Sequence, residues 1–281
     1  MTNIIFRNLD AKPLNKILSE NGFSNRAIRN LYKKSLIYVD DKLINKNKKI
    51  NNNSTIKIIV PKENLDYEPI YGKLEILYED SNLLIVDKKK NLTVNSKGQE
   101  SLANHIAYYF MEKNIKSKIR FINRLDMNTS GIIMIAKNPY SMSYYQKQIE
   151  DNKIKKIYIA EVSGDFLKDG MYSLKIKYDS DLKKYIVSED GVMTKTKFQK
   201  LYYKDNISII KVYLLTGKTH QIRSTLSYLG YPIIGDTLYG SDIKIDGFKL
   251  NSSFLSFNKF ITGEKVEIKS NFISQEIFDF L

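Results

Sequence analysis

From residue 155 onward, apolar residues tend to recur at every second position. Residues 158–162, 171–178, 194–203, 207–215 and 254–257 carry this alternation, with polar or glycine-containing turns between them. A period of two puts successive side chains on opposite faces of a strand, whereas a helix needs a period near 3.6. Two more strands are predicted within 74–87, around the turn Glu79-Asp80-Ser81-Asn82. Residues 74–281 offer only a few helices, over 100–114 with His105, over 140–153 behind Pro139, and after Thr219. Many strands with few helices imply an α+β fold with mixed, mostly antiparallel sheets. At 281 residues the chain has room for one large domain and one small one.

The small one leads. Residues 4–6 are a short apolar run, and Pro13 suits the first turn of a helix carrying Leu14, Ile17 and Leu18. Gly22 ends that helix and Ser24 caps the next. The second helix turns Ala27, Ile28 and Leu31 inward and presents Arg26, Arg29 and Lys33 on one face, since residues three and four apart are neighbours. Strands over 36–39 and 56–60 follow, with Asp40-Asp41 as a turn. Charge respects the same division. The net charge is +14, and residues 1–62 hold 13 Lys and Arg against 4 Asp and Glu, a net +9. A basic module ahead of a milder domain favours a polyanion partner, most simply nucleic acid, with the cations of the second helix as phosphate contacts. Residues 63–73, with Pro69 and mixed charge, read as a linker. The expected division is therefore 1–62, 63–73 and 74–281.

Composition then narrows the chemistry. The chain has no cysteine, which excludes disulfides and thiolate metal sites and fits a reducing, cytoplasmic setting. Its two histidines, His105 and His220, have no paired spacing, so no metal site is expected. Neither is accompanied by a nucleophile-elbow pattern. No stretch reaches the roughly 18 apolar residues of a membrane span, and the first twelve residues lack the apolar centre of a signal peptide.

What remains is a carboxylate. The run Asn123-Arg124-Leu125-Asp126-Met127-Asn128-Thr129-Ser130-Gly131 sets Asp126 in a tight polar turn just before a strongly apolar strand. An acid so placed is fixed in position and still open to a cleft. Thr129 and Ser130 have the side chains that shape such a turn. Three further segments stand out. Lys156-Ile157-Tyr158-Ile159-Ala160-Glu161-Val162-Ser163-Gly164 is a strand with one aromatic hydroxyl. Thr216-Gly217-Lys218-Thr219-His220-Gln221-Ile222-Arg223 is a polar turn entering a helix. Gly230-Tyr231-Pro232-Ile233-Ile234-Gly235-Asp236-Thr237-Leu238-Tyr239-Gly240 is a loop punctuated by glycine and proline.

In this order and spacing the four segments resemble the motifs of the RluA/RluD-type RNA pseudouridine synthases, written H-R-L-D-x-x-T-S-G-L, K-x-Y-x-A-x-V-x-G, T-G-R-x-H-Q-I-R-x-H and G-x-P-I-x-G-D-x-x-Y-G. The leading module is similar to an S4-type RNA-binding domain. The resemblance implies a pseudouridine-synthase catalytic domain behind a small α/β S4-like domain. It implies an isomerase that acts on ribosomal or transfer RNA, without cofactor or membrane; nothing in the sequence resembles a dedicated dimer interface, so a monomer is the expectation. By the same resemblance Asp126 is the catalytic aspartate, Tyr158 the tyrosine that stacks on the target uracil, and Arg223 the arginine that pairs with the carboxylate. Arg124 lies beside the flipped-out base, and Lys88, Thr129, Lys218, His220 and Gln221 join Arg26, Arg29 and Lys33 as RNA-contacting candidates. His220 is read as a structural hydrogen-bonder, because the chemistry needs no imidazole, and Asp236 as a residue that shapes its loop.

The chain departs from the family pattern in places. Lys88-Lys89-Lys90-Asn91 stands where K-P-x-G is usual, Asn123 and Asn251 stand where histidines are, Thr225 lies where the histidine after H-Q-I-R is lost, and Lys218 replaces an arginine. A lysine lacks the planar fork of a guanidinium. These changes raise a competing expectation: an RNA-binding or ribosome-assembly factor that keeps the fold and dispenses with the activity.

Overall fold

The computed structural model describes residues 3–96 and 98–272. The last nine positions of the expected 74–281 domain lie outside the described residues. The N-terminal module runs β1 (Asn3–Arg7), β2 (Lys12–Pro13), α1 (Leu14–Glu20), α2 (Asn25–Lys33), β3 (Ile37–Val39), β4 (Lys42–Leu43), β5 (Lys49–Ile50) and β6 (Thr55–Ile59). Its sheet has the order β1-β6-β3-β4, with β2 and β5 paired apart from it. Ser24 caps α2 by accepting from the Ala27 N–H, and Asp40 and Asp41 both take positive φ in the β3–β4 turn, the backbone that a two-residue hairpin of this twist demands.

The larger part continues with β7 (Glu75–Glu79), β8 (Leu83–Lys88), α3 (Leu102–Glu112), β9 (Arg120–Phe121), β10 (Ser130–Ala136), α4 (Pro139–Glu150), β11 (Lys155–Ser163), β12 (Gly170–Asp179), β13 (Lys184–Val187), β14 (Val192–Lys204), β15 (Ile207–Leu214), α5 (Gln221–Tyr228), β16 (Leu250–Asn258) and β17 (Lys265–Lys269). One sheet takes up every strand, in the order β13-β12-β14-β15-β11-β16-β10-β8-β7, with β17 on β16 and β9 on β10. Among the described residues only β10 and β16 pair in parallel, at Ser130 with Asn251 and Gly131 with Ser252. Gly131 is required there. Its φ is +110°, and a Cβ would collide with the Ser252 backbone.

The central strands are buried on both faces, and the period-two rule sorts their side chains. Leu83, Ile85, Ile132 and Met134 face α4 and the N-terminal module, whereas Leu84, Val86, Ile133 and Ile135 face α3 and α5. The module is packed onto the body. Phe23 meets Tyr140 at 5.5 Å and Phe260 at 5.3 Å between ring centroids, and its core is continuous with the first face of the large sheet. The stretch read as a linker has no regular structure, but it is strapped down. The Glu63 N–H donates to Lys116, Asp66 accepts from the Ile119 N–H, Asn104 donates to the Glu68 carbonyl, and Leu65 and Tyr67 pack on the core.

Candidate active site

Asp126 is held by its backbone. Before it, the Asn123 side chain takes two places in the ladder of β10, donating to the Ile132 carbonyl (3.0 Å) and accepting from the Met134 N–H (2.8 Å). After it, the Thr129 N–H closes the turn onto the Asp126 carbonyl at 3.1 Å. From beneath, Lys88 donates to the carbonyls of Lys89, Leu92 and Met127 at 2.8–2.9 Å. At the exit, Asn251 donates to Ser130 Oγ at 2.8 Å. The carboxylate itself is about a quarter exposed.

Opposite stands Arg223, in the first turn of α5. The helix start is fixed by Gln221, whose amide donates to the Lys195 carbonyl and Thr196 Oγ1 and accepts from Thr216 and the Lys218 N–H. Arg223 Nη1 donates to Asp126 Oδ2 at 3.0 Å. Its fork goes elsewhere: Nε and Nη2 reach the two oxygens of Asp236 at 2.7 and 2.9 Å. The guanidinium is sandwiched between the rings of Tyr239 (4.7 Å) and Phe248 (4.6 Å). Burial would lower its pKa, but Asp236 and Asp126 outweigh that and hold it above its ordinary value. Among the described residues Asp126 Oδ1 accepts no hydrogen bond, so one carboxylate oxygen is clamped and the other is open.

His220 precedes α5 in the left-handed region (φ 54°). The Tyr239 hydroxyl accepts from the Tyr185 N–H at 2.9 Å and shares a hydrogen bond with His220 Nδ1 at 3.0 Å. His220 Nε2 is 3.7 Å from Asp126. Burial pushes its pKa down, opposed by Asp126. Tyr158 is buried behind Asp126. Burial drives its pKa up to about 12, the Ser252 hydroxyl opposing and the nearby Asp126 charge adding.

Two expected RNA contacts face inward instead. Lys88 is 1% exposed and spends its three N–H groups on carbonyls; burial pushes it down to about 8, and Asp126 opposes. Gln221 is 2% exposed with every amide group engaged. Both position the site and neither is available to a substrate. Thr129 is buried in the Asp126 turn. Arg124 and Lys218 are exposed, and Arg26, Arg29 and Lys33 are exposed together on α2. Sequence reasoning gave Asp236 too little: at 2% exposure it is the principal partner of Arg223. Phe248 was missed altogether. A cavity of about 610 Å³ lies alongside, bounded by Lys89, Ser130, Phe248 and Asn251. Asp126 is not in its wall.

Comparison with known proteins identifies the family. Residues 82–228, more than half the chain, match the RNA pseudouridylate synthase family. An uncharacterised RNA pseudouridine synthase of Bacillus subtilis (strain 168), YhcT, is 36% identical over 198 residues, covering 68% of this chain and 64% of its own. Ribosomal large subunit pseudouridine synthase D of Borreliella burgdorferi is 32% identical over 186 residues, 62% of this chain and 56% of that protein. This chain thus spans less than two thirds of either. The structure of human RNA pseudouridylate synthase domain containing 1 superposes with a TM-score of 0.60 at 24% identity, over 73% of this chain and 86% of that one, which speaks to the fold alone. The chain belongs to the RNA pseudouridine synthase family.

Proposed function

We propose that this protein converts uridine to pseudouridine in structured RNA, ribosomal RNA before transfer RNA, with Asp126 as the catalytic carboxylate. The observation that carries this is the division of labour at Asp126: Oδ2 is held by Arg223 while Oδ1 faces the cleft. The reaction breaks the bond between ribose C1′ and uracil N1, turns the ring and joins C5 to C1′; C5 gives up its proton and N1 takes one up, so product and substrate have the same atoms. No electrons are gained or lost, so the chain's own groups suffice. An ionised carboxylate can serve as nucleophile or as base in that sequence, and a guanidinium fixes its orientation and favours its charge. Flipping the uridine out of its stack costs a few kcal/mol. The Tyr158 ring offers replacement stacking of about 1–3 kcal/mol.

The N-terminal module serves in this reading as an S4-like RNA-binding domain, its exposed Arg26, Arg29 and Lys33 lying along phosphates. The name of the Borreliella burgdorferi relative supports ribosomal RNA as the first substrate class to test. The test is pseudouridine mapping of total RNA from cells lacking the gene, complemented with wild-type protein or with Asp126→Ala. A site that is lost on deletion and restored only by the wild type supports the enzyme reading. A growth or ribosome-assembly phenotype restored equally by Asp126→Ala, with no site changed, would show an RNA-binding factor instead.

A further inference from the structure

A file of rings leads out of the site. It starts at the Arg223 guanidinium, which lies over Tyr239. Tyr239 meets His220 edge-on at 5.7 Å, His220 meets Tyr185 at 5.6 Å, and Tyr185 meets Tyr178 at 5.5 Å. Exposure rises outward, from 3% at Tyr239 to 55% at Tyr178. Tyr178 and Tyr185 are direct cross-strand partners in the β12–β13 hairpin, so their rings share a face. That face continues inward through Ile176, Thr194 and Thr196 towards α5. The hairpin is pinned to the site at two further points, where the Tyr185 N–H donates to the Tyr239 hydroxyl and Lys184 lies over the Tyr239 ring.

An exposed tyrosine at the end of a strand needs no explanation by itself. This one is the outer end of a continuous edge-to-face series whose inner end holds the reacting carboxylate. Tyr178 is exposed, and every nucleobase has a face to stack on an exposed ring. The surroundings suit a polyanion. Lys183 is exposed in the turn beside Tyr185, and Lys218 is exposed two residues before His220. Of the acids at the tip, the Asp179 carboxylate is occupied with the N–H groups of Asp181 and Leu182, while Asp181 is exposed.

We infer that the Tyr178–Tyr185 face is a stacking subsite for an unpaired nucleotide flanking the target uridine. This rests on the reading of the chain as an RNA-modifying enzyme, and it assigns to the β12–β13 hairpin a share of substrate choice. The flanking base stacks on Tyr178 while the target base enters the cleft at Asp126, so two neighbouring nucleotides are held splayed apart.

The chain contains no tryptophan, so Tyr178→Trp makes a single emission reporter at the subsite. The experiment has two arms, both using total RNA from cells lacking the gene. In the first, pseudouridine formation is followed for wild type, Tyr178→Ala and Tyr178→Phe. The expected result is a half-saturating RNA concentration raised roughly 5- to 100-fold for the alanine variant, an unchanged limiting rate, and recovery with phenylalanine. In the second, the emission of Tyr178→Trp in an Asp126→Ala background is quenched by that RNA and not by duplex DNA. An active wild type with an unaffected alanine variant overturns the subsite. So does equal quenching by duplex DNA, or failure of phenylalanine to restore what alanine loses. Quenching by RNA with an inactive wild type overturns the isomerase reading and leaves the stacking surface standing. Absence of both activity and quenching overturns both.

Discussion

The two-sided grip on Arg223 makes Asp236→Asn the most informative single change. Asp236 is 2% exposed and accepts from both Nε and Nη2, so its direct hydrogen-bonded hold on the site runs through the guanidinium. Asparagine keeps the shape but replaces one acceptor with a donor that faces Nε or Nη2. Loss of one charge-assisted bond in a buried pair costs about 1.5–3 kcal/mol. For a chain of this size each kcal/mol lowers Tm by about 2–4 °C, so a fall of roughly 3–12 °C is expected. The effect on rate has a separate origin. With Asp236 neutral, Asp126 becomes the only carboxylate that Arg223 touches, and the fork is drawn to bind it through both oxygens. That occupies Oδ1, the oxygen open to substrate. A loss of ~10- to 100-fold in the limiting rate follows, equivalent to ~1.4–2.7 kcal/mol, with little change in half-saturating RNA. Differential scanning fluorimetry and single-turnover pseudouridine formation measure the two effects. A variant with unchanged Tm and unchanged rate would refute the argument that Asp236 orients Arg223.

Four further outcomes are expected. Lys88→Met fills the same space but strands three carbonyls, at about 1–3 kcal/mol each if they stay dry; urea denaturation should show a loss of several kcal/mol, with activity falling because Met127, next to Asp126, is released. Gly131→Ala forces a Cβ into the Ser252 backbone at positive φ and should lower Tm far more than the same change at Gly164, where nothing lies within 4 Å. Asp87 supplies a pH signature. Burial drives its pKa up to about 6, against the Asn271 N–H and Ser270 hydroxyl that favour the charged form. The folded state therefore holds this proton more tightly than the unfolded chain. The contribution is complete below the unfolded value near ~3.9 and is lost as pH rises through 6, by at most about 3 kcal/mol. Asp87→Asn should remove that decline, and a chemical-denaturation series from pH 4 to 7 with parallel curves for both proteins would sink the assignment. Arg26→Glu with Arg29→Glu should weaken RNA binding and flatten its salt dependence, read by filter binding.

The sheet was legible because its strands alternate and its turns carry glycine or acidic pairs, and the run around Asp126 announced a fixed carboxylate. The short strands β9 and β13 were not, since two to four residues carry no period. The strap over residues 63–73 was also illegible. Its polar composition suits a loop, and only tertiary partners such as Lys116 and Ile119 show that it is pinned. Lys88 and Gln221 misled for one shared reason. A lysine and a glutamine next to motif residues look like ligands for RNA until the chain brings carbonyls from residues 89, 92, 127 and 195 around them. Asp236 was underrated because its partner Arg223 lies on the preceding helix, and a loop aspartate in sequence looks like a turn.

The parallel seam between β10 and β16 has a consequence for the order in which the parts of this protein come together. Asp126 and Arg223 are 97 residues apart, and the Asn251–Ser130 bond spans 121. Contacts so distant in sequence carry a large loop-closure entropy and form late. On the ribosome, a growing chain finishes the N-terminal sheet once Ile59 has emerged, but it cannot seat Asp126 until Ser252 arrives to receive Gly131. The surface proposed to hold RNA is therefore complete well before the Asp126–Arg223 pair is in place, so a nascent chain would present its basic face before its proposed catalytic carboxylate is positioned.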